Sequence, residues 1–355
     1  MNACYEKIIR PLFFKQDPEN AHDFANKGMS ILSKMSLLRI IMEKMNFYKY
    51  QKPINLFGVE FQNCVGLAAG FDKEATSWRA AAALGFGHTE IGTITKHKQA
   101  GNPKPRVFRY PQEEAVVNSF GFPNDGAEAI AARLLKSKAH LAKKIPLGIN
   151  IGKSKITPLE EAAEDYIHSL NVLGDFASYF CINISSPNTP ELRKLQGKEY
   201  LYDLLKQIQD ANKARAEKFA KPKVPILLKI APDLEFTEID EILETVLDLG
   251  LDGIEATNTT ITRPEHCAYM ETKGGLSGKL LFEKSLEVVN YIAKRTENKL
   301  PLIGIGGIMS TDDAGKMLDA GAHLVQIYTS LIYRGPFFPR DIAKSARWRY
   351  SSDWV

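Results

Sequence analysis

From residue 65 onward the chain repeats one unit eight times: a short apolar run that gives way to Gly, Asn, Thr or Lys, then a segment whose apolar residues fall at helical spacing. The runs cover 65–71, 89–95, 146–152, 179–186, 225–231, 253–259, 301–308 and 324–330. The helical segments cover 76–84, 126–144, 159–173, 200–219, 238–249, 281–296, 311–320 and 339–347. Runs without polar alternation suit strands covered on both faces, as in a parallel sheet. Strands and helices alternating in this number predict an α/β fold, a (β/α)8 TIM barrel. A doubly wound open sheet is the alternative, because strand order is not written in the sequence.

Two regions stand outside this rhythm. Residues 1–52 are read as an N-terminal extension ahead of a catalytic domain at 53–355. Within the extension, Phe24, Ile31, Leu32 and Met35, then Leu37, Leu38, Ile41, Met42 and Met45, predict an amphipathic helical hairpin beginning at Pro18. Residues 1–52 carry nine Lys/Arg against five Asp/Glu. Such a hairpin can pack both apolar faces on the main domain, or leave part of them for a membrane interface with lysines toward anionic headgroups. Residues 54–61 alternate around Gly58 like a small β-hairpin. The long insertion at 96–123 contains 107–110 and 115–118, which predict a second hairpin over the C-terminal face of the barrel.

Composition narrows the function. A formal charge of +4 on 355 residues falls well short of a dedicated nucleic-acid binder. The four cysteines and seven histidines are scattered, without Cys-x-x-Cys or His-Glu-x-x-His spacing, so neither disulfides nor a metal site are expected. No window reaches the roughly 18 apolar residues of a membrane span. The apolar patch Ile8–Phe14 is broken by Arg10 and Pro11, unlike a signal peptide.

Barrel active sites sit at the C-terminal ends of the strands, so the polar residues there form a set. The first strand ends Ala69-Gly70-Phe71-Asp72-Lys73, the second contributes Thr93, the third Asn150 and the sixth Thr257-Asn258-Thr259. The fourth breaks into Ser185-Ser186-Pro187-Asn188-Thr189-Pro190, where two prolines forbid an immediate helix and fix a hydroxyl and amides at the strand mouth. An ordinary Ser/Asn/Pro turn has the same composition. Lys229, inside Ile226–Ile230, costs several kcal/mol to bury unless it meets an anion, either a ligand or a structural carboxylate. The amides of Asn118, Asn150, Asn183, Asn188 and Asn258 suit a planar heterocycle with several C=O and N–H groups. Gly304-Ile305-Gly306-Gly307, Tyr328-Thr329-Ser330 and the glycine-rich loop 273–278 suggest a phosphate cradle after strands 7 and 8. With no Gly-x-Gly-x-x-Gly after a strand, a mononucleotide cofactor fits better than a dinucleotide.

The segments Gly66–Lys73, Gly148–Lys153, Ile182–Pro190, Lys229–Asp233, Ala256–Thr260, Gly274–Gly278 and Gly304–Gly307 together resemble dihydroorotate dehydrogenase, over about residues 53–345. The resemblance implies FMN on a (β/α)8 barrel and oxidation of dihydroorotate to orotate in pyrimidine biosynthesis. Ser186 would be the base that takes the C5 proton while hydride leaves C6. Serine at that position resembles the quinone-dependent, membrane-associated branch, as does the helical extension, whose His22 matches a position near the quinone channel; Arg109 matches a basic residue there. Soluble members that use fumarate or nicotinamide carry cysteine instead.

By the same matching, Lys73, Asn118, Ser119, Phe120, Gly121, Phe122, Asn183, Asn188, Asn258 and Thr259 would hold the substrate. Ala69, Gly70, Lys73, Thr93, Asn150, Asn183, Lys229 and Thr257 would face the flavin, with Gly278, Gly307, Tyr328 and Thr329 around its ribityl phosphate. After Asn118 the chain reads Ser119-Phe120-Gly121-Phe122 where relatives often have Arg-Met before Gly-Phe, so the substrate role of Asn118 carries over and the adjoining channel wall does not. Cys181 is read as a core residue. The implied partners are dihydroorotate, a quinone and a membrane surface at the cytoplasmic face of the cell's inner membrane, with no nucleic acid and a monomeric state. The alternatives are a soluble fumarate- or NAD-linked enzyme and an FMN barrel acting on RNA.

Overall fold

The computed structural model describes residues 4–137, 145–189, 191–271 and 273–350. Eight parallel strands close a barrel: Val65–Leu67, His88–Ile94, Leu147–Ile151, Tyr179–Asn183, Ile226–Ile230, Gly253–Ala256, Leu302–Ile305 and Leu324–Ile327. Each pairs with its sequence neighbours, and the eighth returns to the first through Val325↔Val65 to Ile327↔Leu67. Closure excludes the open doubly wound sheet. The strand residues are buried almost throughout, which explains why they read as continuous apolar runs.

Where the expected elements differ, a side chain has intervened. The helical segment expected at 76–84 starts late, as a turn at Trp78–Ala80 and a helix at Ala81–Leu84. The Asp72 carboxylate accepts the N–H groups of Thr76, Ser77 and Trp78 at 2.8–2.9 Å and holds them in a turn. The helix expected to start at Gly126 covers Ala127–Lys136, and 138–144 lie outside the described residues. The fourth strand stops at Asn183 because the Asn183 Oδ1 accepts from Ser185 N at 3.2 Å and turns the chain. Pro190 lies outside the described residues.

The 54–61 hairpin forms, with Ile54–Leu56 antiparallel to Val59–Phe61, and it stoppers the N-terminal mouth of the barrel. Phe61 meets Tyr179 and His88 with ring centroids 6.5 and 5.2 Å apart, and Phe57 meets Tyr179 at 5.7 Å. At the opposite rim the expected hairpin, Val107–Tyr110 with Ala115–Asn118, gains a third strand, Gly275–Gly278. The glycine-rich loop of the sixth unit is therefore a strand. At Gly278, φ is +96° and a Cβ would sit 2.3 Å from the Glu114 carbonyl oxygen, so only glycine allows this approach.

The N-terminal hairpin is present as Pro18–Lys34 and Ser36–Asn46. Its start is fixed by Asp17, whose Oδ1 accepts from Glu19 N and Asn20 N at 3.0 Å, with Pro18 tolerated in the first turn. Ahead of it, Tyr5–Ile9 and Arg10–Phe14 are also helical, an element the broken apolar patch did not suggest. Three groups fasten this region to the rim. Arg106 donates to Glu19 from Nη2 at 2.8 Å and from Nε at 3.2 Å, and both partners are buried. Arg109 donates to the carbonyls of Phe13, Phe14 and Gln16, capping the end of the Arg10–Phe14 helix. The Tyr5 hydroxyl donates to Ile332 O at 2.8 Å.

Phe61 is fully buried in the stopper, so Phe61→Ala is expected to destabilise the protein by about 3–5 kcal/mol. Urea unfolding followed by tryptophan fluorescence measures it; a loss below about 1 kcal/mol would mean that the hairpin contributes little to barrel stability.

Candidate active site

A cavity of about 530 Å³ opens at the C-terminal ends of the strands and runs up beneath the N-terminal helices. Its walls include Ala69, Gly70, Lys73, Thr93, Asn118, Phe120, Gly121, Phe122, Asn183, Ser186, Asn188, Lys229, Thr257, Asn258, Thr259, Gly278, Gly307, Tyr328 and Thr329, together with His22 and Arg109. Two expected residues stand behind the wall. Asn150 is fully buried, its Oδ1 accepting from Thr93 Oγ1 at 2.6 Å and from Asn183 Nδ2 at 3.1 Å. Ser119 is held through its backbone by Arg106 O at 2.8 Å and Asn102 Nδ2 at 2.9 Å. They position lining residues and do not face the cavity.

The fourth-strand loop is built by its own amides. Asn258 Nδ2 donates to Ser185 Oγ at 3.0 Å, Asn188 Nδ2 donates to Asn118 O at 3.1 Å, and Ser186 Oγ accepts from Asn188 N at 3.2 Å. Ser185 thus turns inward as structure, and the Ser186 hydroxyl is left on the cavity wall. The loop thereby ties the end of the fourth strand to that of the sixth and to the rim hairpin.

Lys229 meets structural carboxylates and also borders the cavity: it lies 3.2 Å from Glu255 Oε2 and 4.0 Å from Glu90 Oε1. The register sets this up, since Lys229 pairs with Asn183 on one side and Glu255 on the other. Burial alone would lower the lysine's pKa, but the two acids hold it above the ordinary value, so it is an ammonium at neutral pH. Neither glutamate was singled out from the sequence. The signal was present for Glu255, which interrupts the apolar strand Gly253–Ala256 as Lys229 interrupts its own, whereas Glu90 follows the polar His88 and Thr89.

Lys73 is the second cation. Its Nζ sits 4.1 Å from the centroid of the Phe120 ring and 3.5 Å from His22 Nε2. Desolvation pushes it down to about 8, and it has no carboxylate within ion-pair distance among the described residues. Burial and the Lys73 charge keep His22 neutral at pH 7. His22 stacks on Tyr328 and meets Phe71 edge-on with centroids 5.2 Å apart, at the junction between the polar floor and an apolar throat. Tyr5, Ile9, Phe13 and Phe14 line that throat, and none of them was anticipated.

The end of the eighth unit suits an anion. The Thr329–Arg334 helix has no side-chain cap, whereas the helix of the seventh unit is closed by Asp313, which accepts from Met309 N and Ser310 N at 2.9 and 2.8 Å. Gln326 Oε1 and Ser330 Oγ are buried on the cavity wall without a hydrogen-bond partner. A Cβ at Gly307, where φ is +70°, would fall 2.4 Å from Phe282 N. Unpartnered acceptors, free N–H groups and close backbone fit a polar cofactor bearing a phosphate.

The profile of the family described as dihydroorotate dehydrogenase matches residues 53–347. The chain belongs to the dihydroorotate dehydrogenase family. Relatives named dihydroorotate dehydrogenase (quinone) include that of Acidithiobacillus ferrooxidans, 45% identical over 94% of this chain and 92% of its own, and that of Salinispora arenicola, 46% identical over 97% and 99%. Among solved structures, the dihydroorotate dehydrogenase of Eimeria tenella in complex with ferulenol superposes with a TM-score of 0.82 at 36% identity, over 93% of this chain and 90% of that one. Its ligand-free form gives 0.80 at 37% identity, over 93% and 94%. The family is flavin-dependent, which agrees with the donors and acceptors gathered in the cavity.

Because Lys73 is an ammonium only below about pH 8, carboxylate ligands are expected to bind well at pH 7 and to weaken by about tenfold per pH unit above 8. Titration with orotate across pH measures this. Lys73→Met should weaken binding by about 10–100-fold at pH 7 and flatten the profile; an unchanged profile in the variant would assign the titration to another group.

Proposed function

We propose that the chain oxidises dihydroorotate to orotate in pyrimidine biosynthesis, with FMN as hydride acceptor and a quinone as final electron acceptor. One observation carries the reading: a single cavity joins a polar floor, with Ser186, the asparagines, Lys73 and Lys229, to an apolar throat between exposed helices. FMN, when bound, supplies a two-electron acceptor that takes hydride from the substrate and is reoxidised by the quinone. The remaining chemistry belongs to the chain. Lys73 meets the substrate carboxylate, and Asn118, Asn183, Asn188, Asn258 and Thr259 engage its ring amides and carbonyls. The Ser186 hydroxyl takes the C5 proton and releases it to water, a weak base made effective by placement. Lys229 and Thr257 would hold the ring of the cofactor, where the ammonium would favour negative charge, while Asn150 acts from behind through Thr93 and Asn183. Gly278, Gly307, Tyr328 and Thr329 surround its phosphate.

Residues 1–52 form the acceptor's route, with His22 and Arg109 along it, and residues 53–355 form the catalytic barrel of a monomer. We infer peripheral attachment at the cytoplasmic face of the inner membrane. Leu12, Phe24, Ile31, Leu37, Ile41 and Met45 are all exposed on the N-terminal helices, with Lys27, Lys34 and Lys44 among them. No helix among the described residues is long and apolar enough to cross a membrane. Neither a fumarate- or NAD-linked reaction nor an RNA substrate is favoured by the quinone-named relatives.

The purified protein is expected to be yellow and to reduce a quinone with dihydroorotate. Ser186→Ala should retain flavin while anaerobic reduction by dihydroorotate slows by about 10²–10⁴-fold, as followed by stopped-flow bleaching; bleaching at the original rate would remove Ser186 from the chemistry. Ile9→Glu, which puts a charge into the throat, should abolish quinone turnover and leave that bleaching intact. Equal loss of both would refute separate access for the acceptor.

A further inference from the structure

The cavity floor holds one more acid than base. Lys229 lies between Glu255, at 3.2 Å, and Glu90, at 4.0 Å, and both glutamates are sealed from solvent. The other titratable groups facing the cluster are neutral. The Tyr179 hydroxyl donates to Glu90 at 3.1 Å and Cys181 Sγ accepts from Asn150 Nδ2 at 3.2 Å, and burial pushes both groups up. His88, two residues before Glu90, is pushed down to about 4 by burial. Two carboxylates against one ammonium would leave a net negative charge in a closed interior, which a bound proton relieves.

The two acids are not equivalent. Glu90 accepts from three donors: Asn150 Nδ2 at 2.9 Å, and the Tyr179 hydroxyl and Gln326 Nε2 at 3.1 Å each. Among the described residues Glu255 accepts from Gln326 at 3.3 Å, with the weak-donor thiol of Cys181 beside it, and its Oε2 has no hydrogen-bond partner despite its closeness to Lys229. Donors aimed at a carboxylate favour the ionised form, so the proton resides on Glu255. Burial and the Glu90 charge push Glu255 well up, while Glu255, Lys229, Gln326 and Asn150 hold Glu90 low against the effect of burial. A run of hydrogen bonds leads from Glu90 through Asn150 to Thr93 and Asn183 on the cavity wall.

We propose that Glu255 is a positioning residue: a carboxylic acid that stays protonated beside the Lys229–Glu90 pair, leaves the floor without net charge, and on ionising opposes electron uptake by a flavin in the cavity. This rests on the flavin reading above. Infrared spectroscopy of the purified protein at neutral pH should show the carbonyl stretch of a buried neutral acid, and its absence from the unsubstituted protein would overturn the proposal. Glu255→Gln should remove the band. Glu90→Gln should remove it too, because Glu255 must then ionise to balance Lys229. A band that survives either substitution refutes the assignment.

The ligand atoms of Glu90, Cys181 and Glu255 lie within 4.8 Å of one another, so a stoichiometric metal lost in Glu255→Gln would also overturn it. As a second readout, the flavin midpoint potential between about pH 6 and 10 should coincide in the wild type and Glu255→Gln at neutral pH. At alkaline pH the wild type should fall more steeply. Parallel curves, or an offset at every pH, would reduce Glu255 to a packing residue. The infrared measurement needs no flavin, so a colourless protein would sink the flavin reading and leave the proton on Glu255 still open to measurement.

Discussion

An ammonium shut inside a closed barrel must meet a carboxylate there, and the interior of this protein is arranged around that demand. Lys229 is brought to Glu255 by strand register and to Glu90 across the barrel. Glu90 in turn recruits Asn150, Tyr179 and Gln326, so polar groups from six strands lock one another. Such a network is costly when half satisfied and rigid when complete. Its upper member, Asn150, holds Thr93 and Asn183 from behind, and these two line the cavity. The site is therefore a continuation of the barrel's core, and the loops above need only supply the remaining walls.

Much of this was legible because each feature has a local cause. Eight apolar runs are visible in any listing of the chain, since a strand buried on both faces has no polar alternation to hide it. Closure depends on pairings between distant segments and left no local mark. Lys229 stands out as a charge in an apolar strand and Glu255 does so by the same test, whereas Glu90 sits in a more polar run beside His88 and Thr89. The residues 273–278 looked like a loop because glycine is read as a breaker; here it permits a strand to lie against Ala115–Asn118. Asn150 and Ser119 share composition with residues that line the cavity, and only three-dimensional packing tells the two layers apart.

The N-terminal hairpin packs only part of its apolar surface on the barrel. Glu19, Ala21, Met29 and Asn46 are buried against the body of the protein, while Phe24, Ile31, Leu37 and Met45 remain exposed on the same helices. The anchoring is polar and specific, through Arg106 on Glu19 and Arg109 on three carbonyls. Both arginines come from the insertion between the second strand and its helix. That insertion thus does double duty, since Asn118 and Phe120 from the same stretch face the cavity.

The aromatic stopper at the base gives the molecule a division of labour. With Phe57 and Phe61 closing one mouth on Tyr179 and His88, whatever enters or leaves must pass the opposite rim. Tyr5–Phe14, Pro18–Lys34 and the rim sheet stand at that opening, apart from the eight strands. Substitutions at the rim can alter how fast ligands exchange without taxing the barrel's durability, and substitutions at the base can do the reverse. Turnover and robustness are in this way free to evolve along separate lines.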